Sequence, residues 1–187
     1  MADGLFYWDT RTPNPGAAIA SVALSTTDLA LYPSTFFPYL GPNYFGYIGK
    51  KLRIQLFGQI TTAATPGNGT FDIYWGTGAN ANGTILASSA TVALTASQTN
   101  LSWSLDVVVA CRALGTSGSL LLTGSALFNN AVIANTLQPL MIPASAAAAV
   151  TVDLTNTAPN IVSVQFKRSG STAETMQVLD MHVIAMN

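Results

Sequence analysis

Charge is what this chain has least of. Of its 187 residues, 8% are Asp, Glu, Lys or Arg, against about 25% in an average soluble chain. Its solubility must therefore rest on Ser, Thr, Asn, Gln and Gly, which cost less than ions to take out of water. A surface of that kind suits coverage by partners. Seven basic and eight acidic residues leave a net charge of −1, which gives no electrostatic reason to bind nucleic acid or an anionic membrane. Positive charge gathers only at Lys50–Arg53 and Lys167–Arg168, read as solvated strand ends.

Reactive side chains are as scarce. Cys111 stands alone, so no intrachain disulfide forms, and its place in an apolar alternating run makes it a small core residue. One histidine and one cysteine cannot assemble a zinc or iron centre. Gly76-Thr-Gly78 lacks the glycine, lysine and helix of a phosphate loop. The eight acids are too scattered to present the carboxylate pair of a glycosidase. Asp180 and His182 share a face of an extended strand, but no Gly-x-Ser-x-Gly elbow accompanies them. No enzyme and no cofactor are expected. No apolar run reaches the ~18 residues of a membrane-spanning helix. The opening Met1-Ala-Asp-Gly-Leu-Phe-Tyr-Trp8 lacks the basic-then-apolar order of a secretory signal, so assembly in a cytoplasm is expected.

What the chain does have is alternation. From Gly49 to Gly76, Leu52, Ile54, Leu56 and Ile60 fall on one side of an extended chain, with Arg53, Gln55 and Gln59 on the other. Phe71, Ile73 and Trp75 repeat the pattern beyond a Pro-Gly-Asn-Gly loop, with Asp72 and Tyr74 opposite. A period of two marks strands with one buried side, and the two runs read as a long hairpin. The cleanest alternation is Leu101–Arg112, with Leu101, Trp103, Leu105, Val107, Val109 and Cys111 facing one way. Gly115-Thr-Ser-Gly118 turns it into Ser119–Phe128, a second hairpin. Val108, Ala110, Leu121 and Leu127 fall on what should be its wet side, which asks for a covering layer or another subunit. Trp75 and Trp103 read as core, whereas Tyr74 stays open as a stacking residue.

Two segments stand apart. Residues 1–18 read as an N-terminal arm, with Leu5, Phe6, Tyr7 and Trp8 as anchors and Thr12-Pro-Asn-Pro-Gly16 as a stiff elbow. The arm lies either on a neighbouring subunit or over its own domain. Pro33–Gly49 is a loop whose three prolines exclude a regular helix. Its aromatics (Phe36, Phe37, Tyr39, Tyr44, Phe45 and Tyr47) either cap one end of the domain or meet another chain. Further runs, among them Ile19–Leu24, Leu29–Tyr32, Val150–Leu154, Ile161–Arg168 and Met176–Met186, bring the total to roughly eight to ten strands, with no convincing helix. The expected fold is all-β: one antiparallel, jelly-roll-like β-sandwich over residues 19–187.

Asn43-Tyr-Phe45, Gly49-Lys-Lys-Leu-Arg-Ile54, Gly58, Gly69-Thr-Phe-Asp-Ile-Tyr-Trp-Gly76, Trp103-Ser-Leu105 and Cys111-Arg-Ala-Leu-Gly115 together resemble small jelly-roll virion proteins of tailed bacteriophages. These are capsid decoration (cement) or minor structural proteins. The resemblance spans about residues 40–187. It implies homotrimers seated on the major capsid protein of a virion, and it brings no active-site residues. The expectation is thus a structural virion protein that bridges shell subunits through its arm and its aromatic loop. The alternative is a fibre-tip or lectin-like module that recognises a surface glycan through Tyr74 and the loops Thr77–Gly83 and Gly115–Ser119.

Overall fold

The computed structural model describes residues 8–10, 20–32, 39–77, 80–134, 138–155, 160–170 and 173–186. Among them the chain is all-β, with fourteen strands and no helix. The long strands are β5 (Lys51–Thr61), β6 (Asn68–Thr77), β7 (Asn80–Ser88), β9 (Leu101–Ala113), β10 (Gly118–Phe128), β13 (Asn160–Arg168) and β14 (Thr175–Met186). Short pieces complete the edges: β1 (Trp8–Thr10), β2 (Val22–Ala23), β3 (Leu29–Ala30), β4 (Tyr39–Leu40), β8 (Val92–Ala93), β11 (Leu140–Ile142) and β12 (Val150–Val152).

Two antiparallel sheets stack as a sandwich. The eight-stranded sheet runs β1-β14-β5-β9-β10-β11, with β2 and β12 at its margins. The six-stranded sheet runs β3-β13-β6-β7, with β4 and β8 beside it. Alternation dictates which face is buried: Leu52, Ile54, Leu56 and Ile60 of β5 are each at most 1% exposed. Where the sheets face each other, aromatics from both interlock. The Phe71 ring centroid lies 4.8 Å from that of Phe166, and 5.7 Å from those of Phe128 and Trp103. Removing one such ring costs about 3–5 kcal/mol.

The second hairpin forms as expected, with β9 and β10 paired from Ala113 and Ser119 to Trp103 and Phe128. Gly115 turns it at φ +93°, a conformation that glycine adopts without penalty. Cys111, Trp75 and Trp103 are buried, as their alternation requires. The first hairpin does not exist. β5 pairs with β14 and β9, while β6 pairs with β13 and β7, so residues 62–67 carry the chain from one sheet to the other. Both arrangements bury one face of each strand, so the alternation alone does not distinguish them.

The outer face of the six-stranded sheet is polar yet buried. Asp72 is 1% exposed, ion-paired to Lys167 Nζ at 2.7 Å and hydrogen-bonded by the Ser88 hydroxyl. Burial alone would raise its pKa. Lys167 and Ser88 outweigh that and hold the carboxyl below the usual range. Asp28 accepts the Tyr74 hydroxyl at 2.6 Å, and burial together with Asp72 pushes its pKa up. Tyr74 is therefore not an open stacking residue. It is 7% exposed and held by a carboxylate.

Candidate functional site

The outer face of the eight-stranded sheet holds an open groove. Even positions of β5 and odd positions of β9 point into the core. Phe57 and Ser104 therefore point out, side by side in register, and Leu127 follows on β10. On the other flank β14 carries a bulge between Val178 and Asp180. The extra residue, Leu179, is turned outward and 54% exposed. Phe57 and Leu127 stand open beside it at 41% and 47%. These three side chains wall a groove of about 480 Å³, with Ser102, Ser104 and Asn129 as polar lining.

Phe128, Gly58 and Trp103 complete the lining, the last two as cross-strand partners in register. A Cβ on Gly58 would meet the Trp103 ring at 2.7 Å and the Gln177 carbonyl oxygen at 2.1 Å. The indole edge therefore occupies the space that a side chain at Gly58 would fill. Trp103 is 3% exposed, and its Nε1–H has no hydrogen-bond partner among the described residues. A buried donor left so is unusual in a folded chain.

Beside the groove, the His182 ring meets Phe57 edge-on at 6.0 Å, and its Nε2 lies 3.0 Å from Asp180 Oδ2. Asp180 Oδ1 also accepts the Met181 N–H at 2.9 Å. No serine hydroxyl bonds the imidazole among the described residues, so Asp180 and Phe57 fix its orientation. Further along the same face, Arg53 forms a two-pronged ion pair with Asp106, which Gln55 also bonds at 3.1 Å. Arg53 holds the Asp106 carboxyl below the usual range.

The aromatic loop divides. Phe45 is 2% exposed and lies against Trp75, ring centroids 6.0 Å apart, so it belongs to the core. Tyr44 packs edge-on against Phe45 at 5.1 Å. Tyr39 and Tyr47 remain in the open at 46% and 45%. Phe36 and Phe37 lie outside the described residues, as do Leu5, Phe6 and Tyr7. Trp8 opens β1, which adds a strand to the chain's own large sheet by pairing with Ile184 through His182. Of the loops named for ligand binding, Thr77–Gly83 is mostly the end of β6 and the start of β7, with residues 78–79 outside the described set.

Phe57, Leu179 and the Trp103 edge were not singled out by their residue types. A signal for Leu179 does exist. Buried apolar positions of β14 are even at Met176 and Val178, then odd at Met181 and Val183. A switch of parity inside one strand is the mark of a bulge.

No family model matches the chain, and no curated protein matches it. Solved structures give remote likenesses. One is the CBM2 module of the evolved Dit from Lactobacillus casei BL23 phage J-1, at 10% identity, covering 80% of this chain and 68% of that one, TM-score 0.28. Peanut lectin with a 9mer peptide matches at 9% identity over 100% of this chain and 94% of the lectin, TM-score 0.34. A legume lectin-like domain from Entamoeba histolytica matches at 11% identity over 96% and 90%, TM-score 0.29. Likenesses of this degree fix neither ligand nor partner.

Proposed function

We propose that this chain is a non-catalytic binding module whose ligand is a saccharide ring held in the groove of the outer sheet face. One observation carries the reading: Phe57, Leu127 and Leu179 stand exposed together around a groove edged by Ser102, Ser104 and Asn129. A sugar ring presents an apolar C–H face and a girdle of hydroxyls, and it needs that pairing of an aromatic platform with polar groups. The ring stacks on Phe57 while Ser104, Asn129 and the Asp180–His182 pair meet its hydroxyls. Binding needs no bond broken and no metal. The test is a glycan array probed with the wild-type chain and with Phe57→Ala. Saturable binding to a defined sugar, lost in the variant, supports the reading. An array on which the folded wild type binds nothing overturns it.

A second reading is favoured by the exposed apolar side chains at one end of the sandwich, Tyr47, Ile48 and Leu114 at 45%, 63% and 47%. On this reading the chain is a virion structural protein, a homotrimer seated on the major capsid protein and bridging shell subunits. Its mechanism is area: each contact buries apolar surface worth about 25 cal/mol per Å² before association costs. Quantifying the chain in purified particles separates the readings. Hundreds of copies favour the shell and a few favour a fibre tip.

A further inference from the structure

The end of the sandwich where β5 begins and β9 ends has a charge as well as an apolar character. Seven residues of the chain are basic. Arg53 is tied to Asp106, Lys167 to Asp28 and Asp72, and Arg168 to the buried Glu174. Arg11 lies outside the described residues. The other three, Lys50, Lys51 and Arg112, have no carboxylate partner among the described residues, and all three lie at this end of the sandwich. Beyond Lys51 the β5–β9 register slips by one residue, in a bulge where Gly49, at φ +94°, and Lys50 both face Cys111. The Gly49 N–H donates to the Cys111 carbonyl at 2.9 Å, and the Cys111 N–H donates to the Lys50 carbonyl at 2.9 Å. The turn that bears Tyr47 and Ile48 is thus pinned to the strand that bears Arg112. Lys50 Nζ lies 4.3 Å from the centroid of the Tyr44 ring and 6.0 Å from that of Tyr47, which orders the ammonium over the aromatics. Leu114, just past β9, stands open at the same end.

We propose that this end is a docking surface for an acidic segment of another protein, one that carries carboxylates beside aromatic or aliphatic side chains. Charge complementarity selects it: three cations with no carboxylate partner among the described residues meet carboxylates, while Ile48, Tyr47 and Leu114 take the apolar side chains between them. A polyphosphate partner fits less well. With a net charge of −1, the chain has no long-range attraction for nucleic acid or an anionic bilayer, and apolar side chains interrupt the cationic cluster. The surface lies at the opposite end of the outer face from Phe57 and does not depend on the groove having a ligand.

The test uses the intact chain and a fluorescent synthetic peptide alternating Glu with Phe and Leu, alongside the same peptide with Gln in place of Glu. Anisotropy should show the Glu peptide binding at least about tenfold tighter than the Gln peptide, weakening as salt rises from about 50 to about 300 mM. Lys51→Gln combined with Arg112→Gln should weaken it at least about fivefold, as should Ile48→Ser. Phe57→Ala should leave it unchanged. Circular dichroism melting curves of all variants should match the wild type. Equal binding of the two peptides, or no loss in the Lys51/Arg112 double variant, overturns the proposal. So does tighter binding of oligothymidylate or phosphatidylglycerol vesicles than of the Glu peptide.

Discussion

Replacing Gly58 by alanine perturbs the site and the sheet at once. The new methyl would lie 2.1 Å from the Gln177 carbonyl oxygen and 2.7 Å from the Trp103 ring. The first obstacle is backbone, which no rotamer change relieves. β14 must retreat from β5 by about 1 Å before that contact becomes ordinary. Overpacking of this kind costs about 1–3 kcal/mol, and the backbone clash places Gly58→Ala at the upper end. The stiffer unfolded chain returns about 0.4–1 kcal/mol, leaving a net loss of about 2 kcal/mol. For a domain of this size that corresponds to a fall of about 4–8 °C in melting temperature. The retreat also displaces Leu179, so the groove should lose its ligand in the same variant. Gly41→Ala is the control, because a Cβ there meets nothing within 4 Å. Melting followed by circular dichroism decides it. A Gly58→Ala chain that melts within about 2 °C of wild type would refute the packing argument.

Glu174 is fully buried, accepts the Gly67 N–H at 3.0 Å and pairs with Arg168 at 3.3 Å. Glu174→Ala leaves the largely buried Arg168 guanidinium with only the Leu24 and Gly170 carbonyls and no counter-charge, and should cost about 3 kcal/mol in urea denaturation. Burial, and then Tyr47, pushes the Tyr44 phenol up to about 12. Burial also raises Tyr32 and Tyr74, the latter with help from Asp28. A folded pKa above the unfolded value of about 10 gives stability that is complete below pH 10 and lost as pH rises toward 12. The urea midpoint should therefore fall across that window, and less steeply in Tyr44→Phe. Asp106 is 39% exposed, so Asp106→Asn should cost under about 1 kcal/mol. Because Arg53 lowers the Asp106 pKa, that difference should be present at neutral pH and vanish as pH falls through the carboxylate range.

Strand faces were legible in the sequence because alternation reports burial directly. Leu52, Ile54, Trp75, Trp103 and Cys111 are inside, where their parity puts them. The partner of each strand was not legible. Residues 62–67 are short enough for a hairpin, yet they cross between sheets, and the faces of β5 and β6 are the same either way. Polarity misled at Tyr74 and Asp72, which look wet locally. Their partners Asp28 and Lys167 are distant in sequence and make burial affordable. Phe57 and Leu127 could be placed on the outward face from parity. Their convergence on Leu179 needed the bulge in β14, which only pairing with β5 reveals. The Lys50–Arg53 cluster was visible, but Arg53 is neutralised by Asp106 and its place is taken by Arg112.

The central claim is that the outer sheet face around Phe57 is where this chain meets its ligand. Amide chemical-shift mapping of the labelled chain, titrated with a panel of monosaccharides and disaccharides, tests it most directly. The account predicts saturable shifts at Phe57, Gly58, Ser104, Asn129 and Leu179, together with the Trp103 indole N–H, all abolished by Phe57→Ala. Saturable shifts confined to other parts of the molecule, or a spectrum that no saccharide perturbs, would contradict it.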